Sequence, residues 1–317
     1  MNALVSIIIP CYNVENYISD CLDSALEQNY RPIEIIAVDN NSTDNTLAIL
    51  REYEARNPEL ITIVFEKKQG APAARNKGIS IAKGSWLQFL DADDLILPEK
   101  INRQMLLVRN APLPDLIVGA HVQRYLDGKE KICLPQKGDK FKALASADLG
   151  YTVSNLFRSL NSDSQPAWDN NLNGSQDAEF IFKYLTLSNS RIIFDDDPST
   201  ITRERPYGQI TKSQPKLFIE SCIQFQLKLI TYLKVTNNKY FLENEKFYTD
   251  NLYYYIYKLG LIESSAGEEL FKKLMPHFYK PTNQKFNRIT FVHAYGFKLL
   301  GFRNYVKVRS FFKKTLF

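Results

Sequence analysis

Three carboxylates fall within four residues at Asp91-Ala92-Asp93-Asp94, directly after the strand-like stretch Trp86-Leu87-Gln88-Phe89-Leu90. Packing like charges this closely is unfavourable unless a cation offsets them. A hard divalent ion, Mg²⁺ or Mn²⁺, takes oxygen ligands and commonly shares one or two carboxylates with substrate phosphates. The competing reading is a solvated turn in which Asp94 caps the next helix. A further acid, Asp39, closes another apolar run, IEIIAVD (33–39). Two phosphate-binding alternatives are excluded by their missing glycines. No G-x-G-x-x-G follows the first strand, where the chain reads Pro10-Cys11-Tyr12-Asn13-Val14, and no G-x-x-x-x-G-K-[ST] occurs anywhere.

The elements that must carry these acids alternate. LVSIIIP (4–10), IEIIAVD (33–39), LITIVF (60–65), SWLQFLD (85–91) and DLIVG (115–119) are apolar runs of strand length. Between the first two, Val14, Tyr17, Ile18, Cys21, Leu22, Ala25 and Leu26 recur at helical spacing, with Asn13 in the place of an N-cap. Ser42 is placed to cap a helix carrying Leu47, Leu50 and Tyr53, and PAARNKGISIA (72–82) reads as a third helix. Such alternation implies an α/β fold with a mostly parallel sheet flanked by helices. In an open parallel sheet ligands bind beyond the carboxyl ends of the strands, so Asp39 and Asp91 should face one crevice. Further on, HVQRYLDGKEKICL holds an Asp-Gly hairpin signal, QDAEFIFKYLTL (176–187) is helical and RIIFDD (191–196) is a strand. From about Gln214 the pattern is helical and strongly aromatic.

Composition narrows the class. The chain has 317 residues, 44% hydrophobic and 24% charged, a globular balance that excludes a disordered or collagen-like protein. No run approaches the ~18 apolar residues of a membrane span. The start, MNALVSIIIPCY, fits a strand better than a secretion signal. Four dispersed cysteines without a C-x-x-C point to buried thiols in a reducing compartment, not to a disulfide framework or zinc.

Four blocks now stand in order: VSIIIPCYN (5–13), IIAVDNNSTDNT (35–46), GAPAARNKGI (70–79) and FLDADD (89–94), with a looser fifth, GSQDAEF (174–180). Together they resemble the family 2 glycosyltransferases of the GT-A fold. The resemblance implies a nucleotide-sugar-binding half over 1–95, an acceptor-binding half over 96–213 and a helical, aromatic and basic region over 214–317. It also implies roles for particular residues. Pro10 and Tyr12 would line the nucleobase pocket, Asp39 would accept a hydrogen bond from the base, and Arg75 would lie beside base and phosphates. Asp91 would contact the ribose, and Asp93 would hold a divalent metal bridging to the diphosphate. Asp177 would be the catalytic base that takes the proton of an acceptor hydroxyl, with Glu179 as its substitute; capping of its helix is the alternative. Arg203 and Arg205 would close on the phosphates. Trp168 would stack on the acceptor sugar or pack in the core. For Tyr12 and Arg75 the structural readings are a cover for the sheet end and a pair with Asp39. Asp44 reads as a charge favoured by a helix N-terminus. The chain departs from the family at Asn41, where glycine is usual, although Asn tolerates a left-handed backbone. It departs again at Gln176, the amide in place of an acid.

The expected activity is thus metal-assisted transfer, with inversion, from a nucleotide-sugar donor, in this reading a UDP-sugar, to a saccharide or lipid-linked saccharide. Its rivals are a catalytically idle nucleotide-sugar-binding scaffold and a sugar-1-phosphate nucleotidyltransferase. The second would want a Gly-rich, Arg-bearing loop where CYNVENY stands. The net charge of +5 hides an asymmetry: Leu270–Phe317 carries eleven basic residues and no acidic one, which leaves −6 on everything before it. Phe, Tyr, Leu and Val interleave with these cations, a pattern suited to an anionic membrane surface and too interrupted to span it. A helix packed on the acidic body is the alternative. No nucleic-acid recognition fold precedes the tail. A peripheral position on the cytoplasmic side of a membrane is the expectation.

Overall fold

The computed structural model describes residues 2–109, 112–160, 163–187, 190–206, 214–278, 301–302 and 304–306. The chain divides into two compact units. One comprises Met1–Asn171 with Gln176–Pro206, the other Leu172–Ser175 with Tyr207–Phe317.

The first unit alternates strand and helix as its apolar runs require. β1 (Val5–Cys11), β2 (Ile33–Asp39), β3 (Ile61–Phe65) and β4 (Trp86–Phe89) are parallel neighbours in the order β3-β2-β1-β4. α1 (Ile18–Leu26), α2 (Thr46–Arg56) and α3 (Ala71–Ile81) connect them. The periodicity of α1 resolves into one buried face, Ile18, Cys21, Leu22 and Ala25, which joins Val5, Ile7, Ile9, Ile33, Ile35 and Ala37 in the main core. α3 comes unusually near the sheet: a Cβ on Gly78 would sit 2.3 Å from the Ile8 side chain, so glycine is needed there. That close approach holds Arg75, one turn earlier, at the strand ends.

Beyond β4 lie β5 (Leu95–Ile96), α4 (Lys100–Arg109), β6 (Leu116–Gly119), β7 (His121–Arg124), β8 (Glu130–Cys133) and α5 (Lys140–Ala145). β9 (Leu156–Arg158), α6 (Gln176–Leu185), β10 (Ile192–Asp195) and β11 (Thr200–Arg203) follow. β9 inserts between β4 and β6 and runs antiparallel to both, giving the seven-stranded order β10-β6-β9-β4-β1-β2-β3. Its three residues lie in a segment with no strand-length apolar run, and the sequence offered no sign of it. The expected Asp-Gly hairpin forms as β7–β8, in a second sheet ordered β5-β11-β7-β8.

The second unit is helical, as the aromatic pattern implied: α7 (Pro215–Thr236), α8 (Asn238–Ile262) and α9 (Ser264–Phe278). α7 and α8 pack on each other through Cys222, Phe225, Leu229 and Leu233 on one side and Phe241, Tyr248, Leu252 and Ile256 on the other. Lys298, Arg303, Lys307, Arg309, Lys313 and Lys314 of the basic tail lie outside the described residues. No helix among the described residues is long and apolar enough to cross a membrane. The four cysteines are free thiols, and Cys11, Cys21 and Cys222 are buried.

Candidate functional site

The loops after β1 and β2 are laced together residue by residue. Asn13 N–H donates to Ser42 Oγ (3.3 Å), Thr43 N–H to Asn13 Oδ1 (2.8 Å), Val14 N–H to Thr46 Oγ1 (2.9 Å) and Glu15 N–H to Asp44 Oδ2 (3.1 Å). Two expectations change here. Asn13 does not cap α1, which begins at Ile18; it takes a left-handed backbone (φ 48°) and spends its side chain across the loops. Ser42 likewise serves Asn13, and Asp44 accepts from Thr46 N–H (3.0 Å) at the start of α2. Burial works against the Asp44 carboxylate, but hydrogen bonds from Thr46 and Glu15 outweigh it and hold its pKa down. Asn41 is left-handed (φ 63°), the conformation its place in the loop asks for.

This lacing builds a rigid floor around Asp39. Asp39 ends β2 in register with Cys11, next to Tyr12, and is only 4% exposed. Its Oδ1 is buried and accepts no hydrogen bond. A buried acceptor left alone costs roughly 1–3 kcal/mol, which a ligand N–H would recover. Pro10 lies in β1 beside Val38, and Tyr12 is half exposed on the loop that follows.

Arg75 is buried and pairs with Asp91, not with Asp39: Nη2 donates to Asp91 Oδ1 (2.6 Å) and Nη1 to Gln176 Oε1 (3.4 Å). Burial opposes its charge, yet Asp91 and Asp177 more than compensate and raise its pKa. For Trp168 the structure follows the second of the two readings, packing in the core. The ring is 3% exposed, stacks on Phe180 at 4.3 Å and 7°, and carries the Arg75 guanidinium 4.3 Å from its centroid. Two partners that close, on a flat ring, leave neither face for a sugar. Trp168 supports Arg75 instead, and Asn76 fixes it by exchanging two hydrogen bonds with its backbone (2.9 and 2.7 Å).

The acid cluster is tied to β11. Asp94 is buried and accepts from Arg203 N–H (2.8 Å), so it fastens a strand and caps no helix. Arg203 also donates to the Asp93 carbonyl and to Asp20 Oδ2 (2.8 Å), with its guanidinium over the Tyr17 ring. Arg205 Nε forms an ion pair with Asp93 Oδ2 at 2.6 Å. Burial, then Asp93 and Asp91, push the Asp94 carboxyl well above the usual carboxylate range. Asp93 is raised too, by burial and Asp91, with Arg205 pulling the other way. Among the described residues no three His, Cys, Asp or Glu side chains converge as a self-sufficient metal cage. Asp93 is one hard oxygen donor of the kind that Mg²⁺ or Mn²⁺ combines with phosphate oxygens, so the residues fit such an ion when a diphosphate completes its shell.

Asp177 opens α6, half-buried and within the field of Arg75 and Asp91. Burial pushes its carboxyl up to about 6, against the pull of Arg75 and a hydrogen bond from the Thr152 main-chain amide. Glu179 is a different matter: two positions on, it points about 200° around the helix. It is buried in an ion pair with Lys183 (3.0 Å) and is no substitute for Asp177. The structure thus brings Arg75, Asp91, Asp93, Asp177 and Arg205 into one charge network, with Asp39 at the end of β2, across β1 from β4. Sequence reasoning missed Thr152, Tyr17, Asp20 and Asn76. Only Asn76, beside Arg75 in GAPAARNKGI, carried a readable signal.

Acids gathered at the carboxyl ends of β2 and β4, in this strand order, are the arrangement of a GT-A fold. Residues 6–141 match the model described as glycosyl transferase family 2. An uncharacterized glycosyltransferase of Rickettsia typhi is 32% identical over 208 residues, covering 61% of this chain and 62% of that one. The chain spans about two fifths or less of the length of several other curated relatives. Among solved structures, S. aureus TarS 1–349 in complex with UDP-GlcNAc has a TM-score of 0.62 at 19% identity, covering 99% of this chain and 92% of that chain. The mannosyltransferase PcManGT of Pyrobaculum calidifontis, in complex with GDP-Man and Mn²⁺, has a TM-score of 0.59 at 16% identity, covering 98% and 85%.

Proposed function

We propose that this chain is an inverting glycosyltransferase that moves a hexosyl or N-acetylhexosaminyl group from a nucleotide-diphosphate donor, a UDP-sugar in our reading, to a hydroxyl of a saccharide or lipid-linked saccharide. One observation carries the reading. An ionisable carboxyl poised near neutrality, Asp177, shares a charge network with the Arg75–Asp91 pair and with Asp93.

In this mechanism residues 1–95 hold the donor: Asp39 and Tyr12 take the base, Asp91 the ribose, and Arg75 stands beside the phosphates. Residues 96–213 present the acceptor. Asp177 accepts the proton of the attacking hydroxyl as its oxygen bonds to the anomeric carbon. The bond from that carbon to the diphosphate oxygen breaks, and the electron pair leaves with the nucleotide. A divalent ion at Asp93 would offset the charge growing on that leaving group. TarS with UDP-GlcNAc and PcManGT with GDP-Man and Mn²⁺ support donor class and metal through fold likeness. No second carboxyl is required, because a nucleoside diphosphate leaves without protonation.

The test is Asp177→Asn. It should abolish nucleotide release from a panel of nucleotide sugars supplied with Mn²⁺ and acceptor, while UDP binding by calorimetry stays within about twofold. Transfer at the wild-type rate would remove Asp177 as base, and absence of UDP binding in the wild type would remove the donor class. A scaffold without catalysis would show binding and no release in either protein.

A further inference from the structure

With Trp168 enclosed, the face next to Asp177 is left to a different aromatic residue. Tyr151 immediately precedes Thr152, whose amide donates to Asp177, and its ring is 46% exposed. Few large rings of the first unit are as open, and this one stands beside the proposed base.

Its presentation is rigid. Gly150 turns the chain with φ 70°, a position where a Cβ would meet Asn155 Oδ1 and the Gly119 carbonyl at 2.9 Å. The Tyr151 carbonyl accepts from both Ser154 N–H (3.0 Å) and Ser154 Oγ (2.8 Å). Asn155 binds the turn to the end of β6, accepting from Gly119 N–H (3.0 Å) and donating to the Leu149 carbonyl (3.2 Å). Beneath the Tyr151 ring lies His121, the first residue of β7, with centroids 4.7 Å apart. His121 is 5% exposed, and neither ring nitrogen has a hydrogen-bond partner. Burial and the nearby Lys131 push its pKa down to about 4, so it is neutral, and it braces the Tyr151 ring as an uncharged neighbour tilted at 52°. Tyr125, 39% exposed at the turn after β7, is near the Tyr151 hydroxyl.

An exposed aromatic face, held by a turn that cannot slide and adjoining a proton acceptor, suits the apolar face of a pyranose ring. Such a ring stacks through its C–H groups while its hydroxyls stay free for hydrogen bonds. We propose that Tyr151, backed by His121, is the platform on which the acceptor sugar stacks with its reactive hydroxyl toward Asp177. The proposal rests on the glycosyl-transfer reading above and gives it an acceptor class: a saccharide whose accepting unit exposes one face free of axial hydroxyls.

The experiment uses the full chain and defined probes. Saturation-transfer difference NMR is recorded with methyl β-glucoside, methyl β-galactoside and methyl β-N-acetylglucosaminide, each in the presence of UDP and Mn²⁺. At least one glycoside should receive saturation in the wild type, strongest on the protons of one ring face. Tyr151→Phe should retain this binding, and Tyr151→Ala should weaken it about tenfold, the scale of one lost aromatic contact. UDP affinity should be unchanged in both variants, which also shows that they are folded. Glycoside binding that survives Tyr151→Ala, or no glycoside binding to the wild type, overturns the platform. A wild type that binds no UDP would instead overturn the underlying functional reading, so the two failures are distinct.

Discussion

Asp177 holds two opposed demands in one side chain. As a base it must be ionised, yet burial raises its carboxyl to about 6 and the folded protein favours its protonated form. A carboxyl whose folded pKa is above its unfolded value stabilises the fold fully below the unfolded value, and that contribution is lost as pH rises through the folded one. The turnover number at saturating donor should therefore climb between pH 5 and 7, with half its plateau near pH 6. The melting temperature should fall earlier, between about pH 4 and 6, where the folded carboxyl keeps a proton that the unfolded chain has lost. Asp177→Asn, which cannot ionise, should melt above the wild type at pH 7.5 and level with it near pH 4. A rate independent of pH across this range would separate Asp177 from the proton transfer. Asp39, Asp91 and Asp93 were legible in the sequence because strand ends are legible. Which of its two readings Trp168 would follow was not, since its enclosure depends on Phe180 and Arg75 arriving from two helices distant in sequence.

Among elements, β11 does the most that its sequence does not announce. Four residues, Thr200–Arg203, pair antiparallel with β5 and parallel with β7, and so bring Arg203 and, two residues beyond it, Arg205 onto the acid cluster. The expectation that both arginines meet phosphate needs dividing. Arg203 is committed to Asp93, Asp20 and Tyr17, which makes it part of the cluster's frame. Arg205 offers one ion pair, to the carboxylate proposed as metal ligand, and it stands where a cation's charge would otherwise be needed. If Asp93 binds a divalent ion, Arg205 competes with it and becomes available to phosphate when displaced. Arg205→Ala should then bind Mn²⁺ more tightly in the absence of nucleotide, by several-fold in paramagnetic titration. The same variant should lose about tenfold in UDP affinity, the worth of one charge-assisted hydrogen bond. Weaker Mn²⁺ binding in the variant would contradict this competition. Helices α1 to α3 and the parallel strands were readable from periodicity. β9 and β11 are three and four residues long and are set by long-range pairing, which local patterns do not encode.

For the molecule as a whole, charge is the property that composition concealed. The +5 total divides into −6 before Leu270 and +11 after it, and the acids of the body include those that line the site. At an anionic surface each Lys or Arg near the headgroups would contribute ~1 kcal/mol, while the acidic body would be repelled. Eleven cations would suffice for reversible attachment at low salt, whereas Phe302 and Tyr305 are buried beside Phe271 and Tyr257 and lend it no apolar contact; the charge component should fade as the Debye length shrinks. A lipid-linked acceptor would make that attachment productive, because it confines enzyme and acceptor to one surface. The full chain should float with vesicles containing phosphatidylglycerol at 0.1 M NaCl, less so at 0.5 M, and not with phosphatidylcholine alone. Replacing Lys298, Arg303, Lys307, Arg309, Lys313 and Lys314 by serine should abolish flotation and leave UDP affinity intact. Equal flotation of that variant would show that these cations do not hold the chain at the surface.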